Sequence, residues 1–366
     1  MSRSATLICL LLTVFLLAPV DSGAQGTSGP TLKTLTYNVW HGLRSGESNK
    51  RFPGEESERK ERRLALQVEE IRRLDPDVLF FQEVNFNQPL SRWYAEQLGY
   101  DEIHKVTSCG LHLGAIYKIP KNMNEGIAIL AKPELGLRRV GKKRLSGNAK
   151  CTATWGFQTK ESRYALFGEI TVGGRKILLA TTHLYSASFV LPTFDNDLEQ
   201  LVEQGTLEPG QRDEILAARD KKLARATGEA KRLTEEIERR RVRLGSNVPV
   251  ILGGDFNAEP DAPGIAAIKA AGFVEASSGP DLLTWDPVTN EVNYGIGSRR
   301  NYSLPTFDKP EVEKLLDYRH TTPRQIDHIF VSPDFEVMSA EMVLDQEKGG
   351  MYLSDHFGIL AVLQLR

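Results

Sequence analysis

The chain has 366 residues, 26% of them charged, and a formal net charge of −2. That balance excludes the overall basic footprint of a nucleic-acid binder, although a local patch or a bound metal can serve in its place. After an N-terminal segment about 340 residues remain, enough for two domains or for one large α/β domain.

Arg3, the apolar run Ala5 to Pro19 and the small residues Ser22-Gly23-Ala24 form a signal-peptide pattern over residues 1–24. A secreted or periplasmic protein is expected. A membrane anchor is the alternative, but the run falls short of the roughly 20 residues a spanning helix needs. Nothing later in the chain reads as a span. Residues 25–31 form a leader, and the mature part keeps Cys109 and Cys151. An exported protein meets an oxidising compartment, yet spacing alone leaves their pairing open.

Leu32 to Val39 alternates apolar and polar residues and reads as the first strand, which brings Asn38 to its end. Ser45 to Glu58 reads as a loop. Leu64, Val68, Ile71 and Leu74 then follow helical spacing, and Asp75-Pro76 stops that helix. The near-continuous apolar strand Asp77 to Glu83 ends in an acid. Strands are expected around 111–117 and 126–130, the second preceded by Glu125, and a pair over 152–158 and 164–172. Lys176 to Thr182 forms another, ending at His183. Phe189 to Phe194 is an apolar loop that either packs or touches lipid.

The charged segment Gln211 to Leu244 has apolar residues at alternating spacings of three and four, including Ala226, Ala230, Leu233 and Ile237. It reads as one long helix inside a helical insertion at about 195–245. Packing on the domain is the expected role, with a dimer contact as the alternative, and the oligomeric state stays open. Val248 to Pro260 organises the rest: a short apolar strand stops at Gly253-Gly254 and delivers Asp255 and Asn257 two residues apart, on one face of extended chain. A helix follows from Asp261 to Ala271. Leu283 to Thr322 reads as a long loop that holds specificity. Two closing strands supply Asp327, then Asp355 and His356.

The polar strand ends are therefore Asn38, Glu83, His183, Asp255, Asn257, Asp327, Asp355 and His356. Oxygen and imidazole donors without cysteine suit Mg²⁺, with Mn²⁺ possible, better than zinc. The spread of these groups from Asn38 to His356 favours a single domain over residues 32–366.

These residues resemble the endonuclease/exonuclease/phosphatase superfamily of metal-dependent phosphoesterases. Its motifs occur in order as Thr36-Tyr-Asn38-Val-Trp, Phe81-Gln-Glu83-Val, Gly126-Ile-Ala-Ile-Leu, Thr182-His183-Leu, Gly254-Asp255-Phe-Asn257, Ile326-Asp327-His-Ile and Ser354-Asp355-His356. The resemblance implies an α+β fold: a four-layer α/β sandwich, two mixed β-sheets packed face to face with flanking helices. It implies Glu83 as principal metal ligand, with Asn38 and Asp355 near the metal. Asp255 would orient or deprotonate the attacking water, and Asn257 would bond the phosphoryl oxygens. His356, oriented by Asp327, would contact the phosphate or move a proton. Glu125 and His183 would pair as general acid.

The function implied is a secreted Mg²⁺-dependent phosphoesterase acting on a phosphodiester, either nucleic acid or a phospholipid headgroup. An extracellular nuclease would draw on the basic cluster Arg138, Arg139, Lys142, Lys143 and Arg144, which otherwise reads as a solvated turn. A sphingomyelinase-like lipid phosphodiesterase would draw on Thr182-His183-Leu and the Phe189 to Phe194 loop. A phosphomonoesterase is a further enzyme option. A non-catalytic binding module on the same fold would have lost residues that are all present here.

Overall fold

The computed structural model describes residues 29–42, 55–114, 117–119, 123–152, 155–187, 193–293, 304–317 and 321–366. The signal-peptide pattern, most of the 45–58 loop and of the 189–194 loop, and residues 294–303 and 318–320 lie outside this set.

The chain begins with β1 (Thr31–Asn38), α1 (Ser57–Leu74), β2 (Val78–Asn85), α2 (Asn87–Leu98) and β3 (Asp101–Ser108). Short strands β4 (Leu111–Leu113) and β5 (Tyr117–Ile119) precede β6 (Glu125–Ala131), β7 (Arg138–Ser146), β8 (Lys150–Cys151) and β9 (Trp155–Phe157). Next come β10 (Arg163–Val172), β11 (Arg175–His183), α3 (Phe194–Glu203), α4 (Pro209–Leu244), β12 (Val250–Asp255) and α5 (Pro263–Ala270). The chain closes with β13 (Val274–Glu275), α6 (Pro310–Leu316), β14 (Asp327–Val331), β15 (Phe335–Val343) and β16 (Gly358–Leu365).

Two six-stranded sheets carry the fold, in the orders β15-β16-β1-β2-β6-β3 and β13-β14-β12-β11-β10-β7. Each is mixed, with β1 parallel to β2 and β11 parallel to β12 among antiparallel neighbours. Strand alternation sends one set of side chains between the sheets, where Phe80, Ile129, Leu166, Leu179, Ile251 and Ile329 form the central core. The opposite set of the first sheet packs under α1 and α2, and that of the second under α4 and α5. Helix, sheet, sheet and helix make the four-layer α/β sandwich. At Gly253 an added Cβ would fall 2.2 Å from the Phe80 ring, so glycine lets the second sheet approach the first just before Asp255.

The long helix α4 starts with proline in its first turn and a capping box between Glu208 and Gln211. Its Ala230, Leu233 and Ile237 are fully buried on the second sheet. Among the described residues no helix is long and apolar enough to cross a membrane.

Four expectations need correction. Two elements, α2 and β3, lie between residues 87 and 108, where no element was expected; α2 opens on the polar Asn-Gln-Pro, and β3 is an edge strand whose first half is exposed or half-buried. The basic cluster from Arg138 is not a turn but the edge strand β7, polar because only one side of it pairs. The described parts of 283–322 hold more than a surface loop: Thr284, Asn290, Val312 and Leu316 are buried, and α6 lies within it. Edge strand β15 was also unexpected. Cys109 and Cys151, whose pairing spacing left open, form a disulfide.

Candidate active site

Strand register builds the site. His183 stands opposite Asp255 between β11 and β12, and Asp255 opposite Asp327 between β12 and β14. Residues directly opposite share a face, so the three side chains form a row at the edge of the second sheet. Across the cleft, Asn38 ends β1, Glu125 opens β6, and Glu83 sits on β2 where the register with β6 shifts. Glu83 has φ +56°, rare for a residue with a Cβ, and the irregularity re-aims its carboxylate. Asn257 likewise has φ +50°.

Asp255 is the hub. Its Oδ2 accepts a hydrogen bond from Asn38 Nδ2 at 3.1 Å and lies 3.4 Å from His183 Nε2 and 3.8 Å from His356 Nε2. Its Oδ1 accepts the Asn257 backbone N–H at 2.8 Å. His356 Nδ1 meets Asp327 Oδ2 at 2.8 Å, which fixes the ring and directs Nε2 into the cleft. The Trp285 ring packs edge-on against His356 at 5.0 Å between centroids. Ser354 Oγ donates to the Asn38 carbonyl at 2.6 Å, tying the Asp355-His356 turn to β1.

Burial and charge set the proton inventory. Burial, then the neighbouring Asp327, raise Asp255 to about 7, against the pull of His356. His356 resists the opposite effect of burial, and Asp327 holds it cationic with a pKa of about 10. Asn38 Nδ2 lies 3.4 Å from His356 Nε2. With His356 protonated both are donors, so this approach is no hydrogen bond. Burial raises Asp355 to about 6. Burial also opposes ionisation of Glu83, but His41, His183 and His356 outweigh it and bring Glu83 to about 2. Glu125 is pushed well above the usual carboxyl range by burial and by Glu83 and Glu161. His183 is pushed well below the ordinary imidazole value by burial and by Arg163.

The structure brings Glu83, Glu125 and His183 together, with ligand atoms within 4.8 Å of one another, and likewise Asp255, Asp327 and His356. Asn38 joins the second group through Asp255. Asp355 belongs to neither group; its Oδ1 lies 3.2 Å from Ser354 Oγ. No hydrogen bond joins Glu125 to His183, although they are neighbours. Asn257 donates one side-chain N–H to the Leu184 carbonyl at 3.2 Å, which leaves its second N–H and its amide oxygen for other groups. Carboxylate oxygens with an imidazole suit a hard divalent cation, and ionised Glu83 is the ready anionic ligand.

Several supporting residues carried no sequence signal. The Thr284 hydroxyl accepts the backbone N–H of Asp327 at 3.1 Å, and Asn293 donates to the Asp355 carbonyl at 2.9 Å. Both belong to a segment without motif. Arg163, buried beside Glu125 and His183, donates to Glu161 at 3.0 Å.

A sandwich of two mixed sheets with acids, amides and histidines converging at one edge is the architecture of a class of phosphoester hydrolases. The chain belongs to the endonuclease/exonuclease/phosphatase family, whose model matches residues 35–356. Among curated proteins no sequence match is found. Among solved structures it is similar to the mannosyl-6-phosphatase of Bacteroides thetaiotaomicron, at 18% identity and TM-score 0.53, covering 91% of this chain and 99% of that one. It is also similar to the catalytic domain of human Nocturnin, solved with a sulfate anion, at 17% identity and TM-score 0.51, covering 92% and 94%. A third is TDP2 of D. rerio in complex with a single-strand DNA product, at 16% identity and TM-score 0.50, covering 91% and 98%. At these identities the likeness shows the fold.

Proposed function

We propose that this protein is an exported, Mg²⁺-dependent phosphoesterase that hydrolyses a phosphodiester by attack of water. The observation that carries the reading is the row His183, Asp255, Asp327 facing Asn38 and Glu83 across the cleft, with His356 clamped on Asp327. Glu83 and Asp355, with Asn38 beside them, would hold the cation. When bound, the cation supplies positive charge to a phosphoryl oxygen.

The chain's own groups divide the remaining work. Asp255, with a pKa of about 7, is poised to orient and deprotonate water at neutral pH. His356, cationic through Asp327, offers Nε2–H to a phosphoryl oxygen as negative charge develops on it. Protonated Glu125, beside neutral His183, supplies a proton to the leaving oxygen. Export is supported by the N-terminal pattern and by the Cys109–Cys151 disulfide, which suits an oxidising compartment. A nuclease reading draws on strand β7, whose run of cations can follow a phosphate backbone.

The test is hydrolysis of sphingomyelin, single- and double-stranded DNA, RNA, a chromogenic phosphodiester and a phosphomonoester, each in Mg²⁺ and in EDTA. Metal-dependent cleavage of a diester supports the reading, and the preferred diester assigns the branch. Cleavage of the monoester alone sinks the diester assignment.

A further inference from the structure

The small sheet β5-β4-β9-β8 stands apart from the two large ones. In it Leu113 pairs opposite Trp155, and His112 opposite Gly156. Strand alternation therefore sends Leu111, Leu113, Trp155 and Phe157 to one face and His112 with Gly156 to the other. The inner face is filled: a Cβ on Gly156 would fall 2.3 Å from the His112 ring and 2.9 Å from Cys109 Sγ, beside the disulfide. The outer face is open, with Leu113 69%, Phe157 48%, Leu111 42% and Trp155 42% exposed. These are four of the ten exposed large apolar side chains among the described residues, gathered on two adjoining strands.

The chain that leads into β8 is cationic. Strands β4, β7, β8 and β9 contain no Asp or Glu, whereas β7 has five Lys or Arg residues and β8 has Lys150. Lys150 is exposed and pairs directly opposite Phe157. Arg138 and Lys143 are ion-paired to Glu169 and Glu236, while Arg139, Lys142 and Arg144 have no carboxylate partner among the described residues. The positive field is felt by Lys105 on the neighbouring β3, which burial, then Lys142 and Arg139, lower to about 8.

The platform is also anchored to the site. Ser108 pairs opposite Glu125, and the next residue is the disulfide-bonded Cys109. Gln158 Oε1 accepts the backbone N–H of Cys109 at 2.9 Å and of Gly110 at 3.3 Å, clamping β9 to the end of β3.

We propose that this face docks the protein on an anionic lipid bilayer. Trp155, Phe157, Leu111 and Leu113 enter the interface, and Lys150 with the unpaired cations of β7 lies against the headgroups. Tryptophan favours the boundary between water and acyl chains, and basic side chains beside an apolar patch add attraction to anionic lipid. Two copies meeting through this face would bring like charges together without an acidic partner in any of these strands. The docking is independent of the phosphoesterase reading, because it uses none of the site residues.

Vesicles of equal parts phosphatidylglycerol and bromine-substituted phosphatidylcholine, in EDTA to prevent turnover, read the contact directly. Wild-type tryptophan fluorescence is expected to be quenched, and Trp155→Phe, which keeps an aromatic side chain, to lose most of that quenching. Leu113→Ser with Phe157→Ser is expected to weaken vesicle binding about tenfold and to leave hydrolysis of a soluble chromogenic diester unchanged. Vesicles of phosphatidylcholine alone should bind more weakly. Equal quenching in wild type and Trp155→Phe would overturn the proposal. So would unchanged vesicle affinity in the double variant, including the case where that variant converts a dimer to a monomer, which would assign the face to self-association.

Discussion

Asn38 donates its side-chain N–H to Asp255 Oδ2 at 3.1 Å, and this bond joins the end of the first strand of one sheet to the central strand of the other. It holds the carboxylate in position while its other oxygen is held by the Asn257 backbone. Asn38→Ala is expected to lower kcat about tenfold or more, as the loss of one charge-assisted hydrogen bond implies. Thermal unfolding should confirm that the variant folds. Unchanged kcat in a folded variant would remove Asn38 from the machinery.

The Asp327 and His356 pair makes a prediction about stability. His356 has its pKa raised to about 10 in the folded protein from an ordinary value of 6.5. A raised histidine stabilises the fold fully below about 6.5 and loses that contribution as pH rises through about 10. The wild-type protein in EDTA should therefore lose unfolding free energy over that window. Asp327→Asn should start lower at pH 6 and show a flatter slope, measured by urea unfolding at a series of pH values. Parallel slopes for the two proteins would contradict the pairing.

Much of this was legible in sequence because burial and chemistry coincide there. The apolar run Val250 to Leu252 followed by two glycines fixed the strand that presents Asp255, and the termini of β1, β11 and β14 were similarly marked. What no pattern revealed was the register that lines up His183, Asp255 and Asp327, since pairing is a property of two strands. Helix α2 and the edge strands β3, β7 and β15 escaped because elements that face water on one side need little apolar periodicity. The turn of the Asn257 carboxamide toward Leu184 was also invisible, being set by a backbone carbonyl.

Burial, with the charges of Glu83 and Glu161, pushes the Glu125 pKa well up and so favours its protonated form. If it serves as general acid, Glu125→Gln should lower turnover about 100-fold or more and abolish the alkaline limb of the pH–rate profile. The comparison must use a substrate whose leaving group needs protonation. An unaltered profile assigns the proton to another group.

The disulfide closes a long loop, with 42 positions separating Cys109 from Cys151. Restricting the unfolded chain to that extent contributes about 4 kcal/mol in the chain-entropy model. Cys109→Ser with Cys151→Ser should lower the unfolding temperature by several degrees, as scanning calorimetry would show, while metal-dependent turnover of a soluble diester persists below that temperature. Equal unfolding temperatures would mean that the small sheet contributes nothing to the global transition.

Buried packing of the long helix gives a further check. Leu233 is wholly enclosed between α4 and the second sheet, so Leu233→Ala should cost about 2–5 kcal/mol. A shift below about 1 kcal/mol would mean that α4 is loosely held rather than part of the fourth layer.

The measurement closest to the central claim is turnover of a chromogenic phosphodiester by wild type and Asp255→Asn, each in Mg²⁺ and in EDTA, with unfolding curves for both proteins. Hydrolysis by the wild type is expected to need the metal, and the folded variant to lose about 100- to 10,000-fold. Hydrolysis indifferent to EDTA, or an Asp255→Asn variant as active as wild type, would contradict that claim.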